Sequence, residues 1–265
     1  MYSPFIIIKK YIRYWFTSSN RKGHGVHSPF VFDFIIHVLN DKKEKACYEK
    51  IESHRNKLLK NKAYIEVEDF GAGSSLTKSN RRRVDKIAAS SLKSKKFAQL
   101  LHRIVQYYKP DQIIELGTSF GITTAYMAEG NKSATVHTFE GSSAIAQLAQ
   151  THFEKLSLVN IYSHQGDFDV LLPSFLEGSS TIDLAFIDGN HREKPTLQYF
   201  KQLLAKSTDD TILIFDDIHW SAEMERAWAE IKAYPAVTLS IDLFFIGIVF
   251  VKKDFKVKQH FSIQF

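Results

Sequence analysis

The chain has 265 residues, and its hydrophobic share of 44% is ordinary for a globular protein. Its longest late apolar run, "LFFIGIVFV", falls well short of the ~20 residues that cross a bilayer, so we expect no transmembrane segment. The one cysteine, Cys47, excludes an intrachain disulfide and agrees with a cytoplasmic location. No basic residue precedes the first apolar run, so we do not interpret the N-terminus as a signal peptide.

The net charge of +6 is unevenly distributed along the chain. Residues 1–110 hold 23 Lys and Arg against 9 Asp and Glu, whereas residues 111–265 hold 12 against 20. Such a division indicates two regions with different roles. Either basic helices pack beside an acidic domain, or the basic region attracts an anionic partner such as a phosphorylated substrate, nucleic acid or a membrane surface. The longest dense basic run is only three residues, 81–83, which favours the packing interpretation.

The first region is predicted to be mainly helical. Ser28 followed by Pro29 is typical of a helix start, and the apolar residues after it predict a buried helix. Further helices are predicted over 3–16, 43–60, 81–90 and 95–108. We therefore expect residues 1–95 to form a basic helical extension that acts as a cap or lid.

From residue 111 the pattern changes to alternating strands and helices. Strands are predicted at 111–116, 134–140, 159–164, 182–188 and 211–217, and helices at 120–129, 142–156, 168–177, 194–206 and 221–233. Apolar strands that alternate with helices predict a parallel sheet covered on both faces. Two β-rich runs near the end, "AVTLSIDL" and "IGIVFVKK", predict a terminal antiparallel pair. We expect residues 96–265 to form one α/β domain.

Two glycine-containing stretches compete as the cofactor loop. "EDFGAGSS", residues 68–75, follows a short charged segment and precedes no apolar helix. "IIELGTSFGITTAYMA", residues 113–128, joins an apolar strand to a helix, and a second strand ends in Glu140, 23 residues after Gly117. A loop of this kind presents free backbone N–H groups at a helix N-terminus, and an acidic residue at the end of the next strand can accept hydrogen bonds from a ribose. Context therefore favours the second stretch.

The motif "ELGTSFGITTAYMA" resembles the first motif of the class I S-adenosylmethionine-dependent methyltransferases, in the variant of the small-molecule O-methyltransferases. The resemblance covers residues 100–252. It implies a Rossmann-like, doubly wound α/β fold whose seven-stranded sheet has an antiparallel last strand. It also implies S-adenosylmethionine as the cofactor, where a nicotinamide site would usually show G-x-G-x-x-G.

The resemblance assigns roles to individual residues. The backbone of Gly117–Ser119 would hold the methionine part of the cofactor, Glu140 the ribose, and Asp167 the adenine amino group. The alternative for Glu140 is an ordinary charge at a strand end, and the alternative for Asp167 is a helix N-cap. The full set of cofactor-binding candidates is Glu115, Gly117, Thr118, Ser119, Gly121, Glu140, Gly141, Asp167 and Asp188.

Three carboxylates follow two strands that the resemblance makes neighbours. Asp188 ends "LAFID", and Asp216 and Asp217 end "LIFDD". Converging carboxylates repel one another, and a hard divalent cation such as Mg²⁺ relieves that repulsion. Catechol and caffeoyl-CoA O-methyltransferases use Asp-Asn where this chain has Asp216 and Asp217, which leaves metal dependence open. The alternatives are a metal-free Asp188 on the substrate side and a helix-capping Asp216 or Asp217.

"IDGNH" also resembles the "DG-x-H" of the metal-dependent, sugar-modifying methyltransferases. The resemblance makes His191 the candidate general base, against an ordinary loop or ribose-side histidine, and Asp188 is the other catalytic candidate. His219 and Trp220 are predicted to line the pocket.

The sequence therefore predicts an enzyme that methylates an oxygen of a small-molecule acceptor. The predicted partners include no nucleic acid, because the chain shows no clear RNA-binding module, and a homodimer stays open. Two alternatives stay open as well: a methyltransferase of RNA or protein recruited by the basic region, and an inactive adapter of the same fold.

The stretch at 68–75 then needs another role. Gly71 and Gly73 let the chain turn, which predicts a flexible connector. The alternative is a lid whose Ser74, Ser75 and Arg81–Arg83 face an anionic substrate or the cofactor carboxylate.

Overall fold

The computed structural model describes residues 1–19, 21–23, 26–68, 80–179 and 181–265. Contacts divide the chain into two compact units. The terminal unit comprises residues 1–40 and 172–265, and the middle unit comprises residues 41–171. This division differs from the boundary near residue 95 inferred from the sequence, which stays a prediction.

Helices and strands alternate through most of the chain. The helices are α1 (Pro4–Thr17), α2 (Pro29–Phe34), α3 (Ala46–Lys60), α4 (Val84–Ser91), α5 (Lys95–Tyr108), α6 (Ile122–Gly130), α7 (Ser143–Lys155), α8 (Phe168–Glu177), α9 (Glu193–Leu204) and α10 (Ala222–Ala233). A π-helical segment, Ile35–Leu39, continues α2. The strands are β1 (Tyr64–Glu66), β2 (Arg81–Arg83), β3 (Gln112–Leu116), β4 (Thr135–Glu140), β5 (Ile161–Gln165), β6 (Ile182–Ile187), β7 (Ser207–Asp216), β8 (Leu239–Asp242), β9 (Ile246–Phe250) and β10 (Gln259–Ser262).

The middle unit contains three parallel strands, with β4 between β3 and β5. The apolar side chains of β3 are buried on both faces of the strand, as expected for a strand covered by helices on each side. Helix α6 packs against α3 and α5. Its side chains are buried almost throughout, so this helix belongs to the core rather than to the surface.

The terminal unit contains five strands in the order β10-β8-β9-β7-β6. β6 and β7 are parallel, and β9 runs antiparallel to both β7 and β8, which confirms the predicted antiparallel pair at the end of the fold. The predicted α/β class with mainly parallel strands is confirmed. Among the described residues the middle unit has three such strands and the terminal unit has five, which makes eight where seven were predicted. The additional strand, β10, is short and polar and pairs parallel with β8, so the sequence pattern did not reveal it.

Residues 81–83 are strand rather than helix. They pair antiparallel with β1, and backbone bonds from Val84 N to Ala63 O and from Val67 N to Asn80 O extend the pairing. The predicted helix begins only at Val84. Cross-strand pairing thus overrides the local pattern of "RRRVDKIAAS". Of the connector predicted at 68–75, or the lid that would add Arg81–Arg83, residues 69–79 lie outside the described residues.

Candidate active site

The turn from β3 into α6 has an unusual backbone. Gly117, Ser119 and Gly121 have φ angles of 102°, 47° and 75°. Glycine adopts such angles at little cost, whereas Ser119 is a non-glycine residue in the left-handed region, a conformation concentrated at functional sites. The amides of Gly117 and Thr118 donate to Phe139 O, at 3.0 and 3.1 Å, which ties the turn to the end of β4. We call residues 117–121 the glycine loop.

Glu115 lies beneath this loop and is fully buried. Its carboxylate accepts hydrogen bonds from Thr123 Oγ1 at 2.6 Å, from Thr138 Oγ1 at 2.7 Å, and from the Thr124 hydroxyl. Burial raises the pKa of Glu115 to about 7, and the threonine hydrogen bonds oppose that shift. The predicted cofactor contact of Glu115 stays a prediction. In the structure its carboxylate has three internal partners, which support the loop.

The threonines around Glu115 escaped the sequence analysis. The available signal was the pair Thr123 and Thr124 on an otherwise apolar helix. Buried hydroxyls need partners, and a buried carboxylate one strand away supplies them. Thr118 joins the same group because its Oγ1 lies 2.6 Å from Thr138 Oγ1.

Glu140 lies at the end of β4, directly beside the glycine loop. Its Oε2 accepts from Ser119 N at 2.9 Å, and its Oε1 accepts from Ser142 N at 3.0 Å. Gly141 follows in the turn before α7. The structure thus brings together the glycine loop and the acidic residue that the sequence paired with it.

Asp167 lies between β5 and α8. Its Oδ1 accepts from Asp169 N at 2.9 Å, and its carbonyl oxygen accepts from the amide of Leu171 at 2.9 Å. These bonds make Asp167 the cap of α8, the alternative that the sequence left open. A contact with adenine stays a prediction.

In the terminal unit, Asp188, His191 and Asp216 form a cluster. Each residue offers one ligand atom, and these three atoms all lie within 4.8 Å of one another. The cluster arises because β6 and β7 are parallel neighbours whose carboxyl ends meet at one edge. Asp216 is buried, with 1% of its surface exposed, and His191 Nε2 lies 3.6 Å from Asp188 Oδ1.

Asp217 does not belong to this cluster within the described part of the chain. Its φ is 54°, and its backbone N donates to Phe245 O at 2.7 Å. Successive residues of a strand point to opposite faces, so Asp216 and Asp217 are not expected to share one ligand site without a turn. Its role as a metal ligand stays a prediction, and His191 takes the third place in the observed geometry.

The donor set of the cluster suits a divalent cation. Two carboxylates and one imidazole match the ligands of Mn²⁺, Fe²⁺ or Zn²⁺, whereas Mg²⁺ prefers oxygen ligands throughout. A cation would also offset the repulsion between Asp188 and the buried Asp216. The residues present therefore fit a bound divalent metal. The imidazole of His191 favours Mn²⁺, Fe²⁺ or Zn²⁺ over Mg²⁺.

His219, which was predicted to line the pocket, has two carboxylate partners in the structure. Its Nε2 lies 2.8 Å from Asp242 Oδ2, and its Nδ1 lies 3.1 Å from Glu225 Oε1. Burial lowers the pKa of His219, but the hydrogen bonds to Asp242 and Glu225 outweigh it and raise the pKa above its usual value. Glu225 also accepts from Lys10 Nζ at 2.8 Å and from Tyr2 OH at 2.8 Å. This network attaches the first residues of the chain to α10 and β8.

Residues 114–218 match the family model described as a methyltransferase domain. This range contains the glycine loop, Glu140, Asp167 and the three clustered side chains. The resemblance inferred from the sequence is confirmed to this extent: residues 114–218 are similar to a methyltransferase domain.

Solved structures of methyltransferases share this fold. An O-methyltransferase from Bacillus cereus, in complex with SAH, is 19% identical, with 80% of this chain and 93% of that chain covered and a TM-score of 0.56. TomG from Streptomyces achromogenes, an O-methyltransferase in complex with SAM, is 17% identical, with 84% and 95% covered and a TM-score of 0.56. SAH-bound PaMTH1 from Podospora anserina is 14% identical, with 85% and 97% covered and a TM-score of 0.60. No curated protein sequence matches the chain.

Proposed function

We propose that this chain transfers the methyl group of S-adenosylmethionine to an oxygen of a small-molecule acceptor, with a divalent cation at the carboxylates of Asp188 and Asp216, beside His191. The observation that carries the proposal is the glycine loop with Glu140 beside it, inside the segment that matches a methyltransferase domain. Known O-methyltransferases with the same fold support oxygen as the accepting atom.

The middle unit supplies the groups for the methyl donor. In the structure the amide of Ser119 donates to Glu140 Oε2, so the turn already presents an N–H group to an anion. To hold the carboxylate of the methionine part, this amide would exchange Glu140 for the cofactor. Glu140 would accept hydrogen bonds from both ribose hydroxyls, since an ionised carboxylate accepts at two oxygens. Asp167 would reach the adenine amino group while it continues to cap α8.

The cluster supplies the groups for the acceptor. A hydroxyl is a poor nucleophile until it is aligned and loses its proton. His191 would take that proton, and Asp188, 3.6 Å from His191 Nε2, would orient the ring and stabilise its charged form. A bound cation would lower the pKa of a coordinated hydroxyl and fix its direction.

His191 cannot act as a metal ligand and as the general base through the same ring nitrogen. A nitrogen that ligates a cation has no free lone pair for the acceptor's proton. If His191 is a ligand, His191→Ala weakens cation binding as well as turnover; if it is the base, His191→Ala abolishes turnover while the cation binds to Asp188 and Asp216 as in the wild type. The proposal that the glycine loop and the cluster serve one reaction rests on the family resemblance.

Calorimetric titration with S-adenosylmethionine tests the donor site. We expect Glu140→Ala to weaken binding at least 100-fold, because two hydrogen bonds to a charged group, each worth about 1.5–3 kcal/mol, are lost. Glu154→Ala, which removes an exposed carboxylate from α7, is the matched control and should bind like the wild type. No binding by the wild-type chain at millimolar cofactor would refute the proposal and favour the inactive adapter.

A panel of hydroxylated small molecules, followed by S-adenosylhomocysteine release with and without EDTA, tests the acceptor site. We expect Asp188→Asn to abolish turnover and to leave cofactor affinity within a few-fold of the wild type. Asp209→Asn, at an exposed carboxylate at the start of β7, is the control. Turnover by Asp188→Asn would show the carboxylate mechanism to be wrong. Methylation of RNA or protein but of no small molecule would favour the macromolecular alternative.

A further inference from the structure

Helix α1 carries an apolar stripe on its exposed side. Phe5, Ile8, Ile12 and Phe16 are 77%, 58%, 52% and 83% exposed. Their spacing of three or four residues places them on one face of the helix. Trp15, 39% exposed, borders the same face. Single exposed apolar residues are ordinary, but a contiguous row of large ones marks an interaction surface.

The opposite face of α1 is fixed to the terminal unit. Tyr14 is buried, and its hydroxyl donates to Ile263 O. Tyr11 packs edge-on against Phe244, with ring centroids 5.0 Å apart, and Lys10 binds Glu225. These contacts hold the helix in one orientation, so the stripe faces outward because of the fold and not through fraying.

The charges beside the stripe are all of one sign. Helix α1 contains Lys9, Lys10 and Arg13 and no acidic residue. Lys9 and Arg13 are exposed and lie next to the stripe around the helix. Arg21 and Lys22, also exposed, follow shortly after the helix. An apolar face with aromatic residues, bordered by basic side chains, is typical of helices that lie in a membrane interface.

We propose that α1 docks this protein on an anionic lipid surface, with the stripe inserted among the headgroups and Lys9 and Arg13 over the lipid phosphates. The helix has 14 residues and is about 21 Å long, shorter than the ~30 Å hydrocarbon core, so it lies in the plane of the surface. Among the described residues, no helix is both long and apolar enough to cross a bilayer.

Charge complementarity selects lipid over a second copy of the chain. Two α1 helices that met through their stripes would bring Lys9 and Arg13 of both copies together, with no acidic residue on either helix to offset them. Anionic headgroups provide the opposite charge, and each basic residue near such a surface favours binding several-fold. This inference does not depend on methyl transfer.

Flotation of the full chain with vesicles tests the docking. We expect binding to phosphatidylcholine vesicles that contain phosphatidylglycerol, and much weaker binding to phosphatidylcholine alone. Ile12→Asn with Phe16→Asn should lower the partition coefficient at least tenfold, because both changes remove inserted apolar surface. The matched control is Val159→Asn with Val257→Asn, which removes two exposed apolar side chains outside α1.

A second pair of variants tests the charge. Lys9→Gln with Arg13→Gln should lower the partition coefficient roughly thirty-fold. Lys60→Gln with Lys62→Gln, which removes the same charge elsewhere, should change it little. Unchanged thermal melting of every variant shows that the fold is intact. Equal binding to neutral and anionic vesicles, no binding to either, or a dimer in sedimentation that Ile12→Asn with Phe16→Asn abolishes would each overturn the proposal.

Discussion

Replacing Gly121 with alanine should destabilise the protein through a defined collision. A Cβ atom at this position would lie 2.4 and 2.6 Å from two ring atoms of Phe153, where carbon atoms normally stay ~3.5 to 4 Å apart. The Phe153 side chain is 1% exposed, so its ring cannot move into solvent. The residue also has a φ of 75°, which an alanine adopts only with strain.

The two costs set the magnitude. The left-handed backbone costs an alanine about 1–2 kcal/mol, and overpacking of a filled core costs about 1–3 kcal/mol. We therefore expect Gly121→Ala to lower the free energy of unfolding by about 2–5 kcal/mol, a large part of the ~5–15 kcal/mol typical of a domain. Because Gly121 begins α6 and ends the glycine loop, affinity for S-adenosylmethionine should fall as well.

Urea unfolding at 25 °C measures the first effect. Gly178→Ala is the matched control, because a Cβ there meets only Phe175 O at 3.8 Å, and its free energy of unfolding should stay within about 0.5 kcal/mol of the wild type. Phe153→Leu removes the ring atoms that collide with the new Cβ. Gly121→Ala should therefore lower the free energy of unfolding less in the Phe153→Leu background than in the wild type. A loss below about 0.5 kcal/mol, or an equal loss in both backgrounds, would refute the reasoning.

Two further predictions concern pH. The folded-state pKa of Glu115 is raised to about 7, so its protonated form stabilises the folded protein. This contribution is fully present below about pH 4.5 and is lost as the pH rises through about 7. The unfolding free energy of the wild type relative to Glu115→Gln should therefore fall by about 3 kcal/mol across that range, and a constant difference would contradict this. For His219, burial is outweighed by hydrogen bonds to Asp242 and Glu225, so its folded-state pKa is raised. Its contribution over His219→Gln, about 1.5–3 kcal/mol, should be fully present below about pH 6.5 and decline as the pH rises through the raised pKa; equal stability below pH 6.5 would contradict it.

Local patterns in the sequence were sufficient for the repeated strands and helices and for the glycine loop. The loop was recognised because an apolar strand, two glycines and a helix follow one another within about fifteen residues, and no distant contact is needed to specify that order. The antiparallel pair at the end was visible for the same reason. In contrast, β2 and β10 owe their conformation to partner strands, which a local pattern does not contain.

The site was harder because its chemistry depends on distant partners. Glu115 is a predicted cofactor ligand by its position in the motif, and the sequence did not show that threonine hydroxyls from α6 and β4 surround its carboxylate. His191 joins Asp188 and Asp216 through the turn after β6, whose left-handed Asn190 could not be foreseen. The bonds of His219 to Glu225 and Asp242 link residues 6 and 23 positions away, and only tertiary packing establishes them.

The attachment of the first helix to the last strand has a consequence for synthesis. Ser19 N donates to Ser262 O at 2.8 Å, and Gln264 Nε2 donates to Trp15 O at 2.6 Å. At ~5–20 residues per second, a ribosome needs about 10–50 s after making α1 to reach these partners. Residues 41–171 emerge in the meantime and can fold first. The apolar side chains of α1 lack their native contacts during this time. A nascent chain is thus expected to need a chaperone at α1 until residues 262–264 have been made.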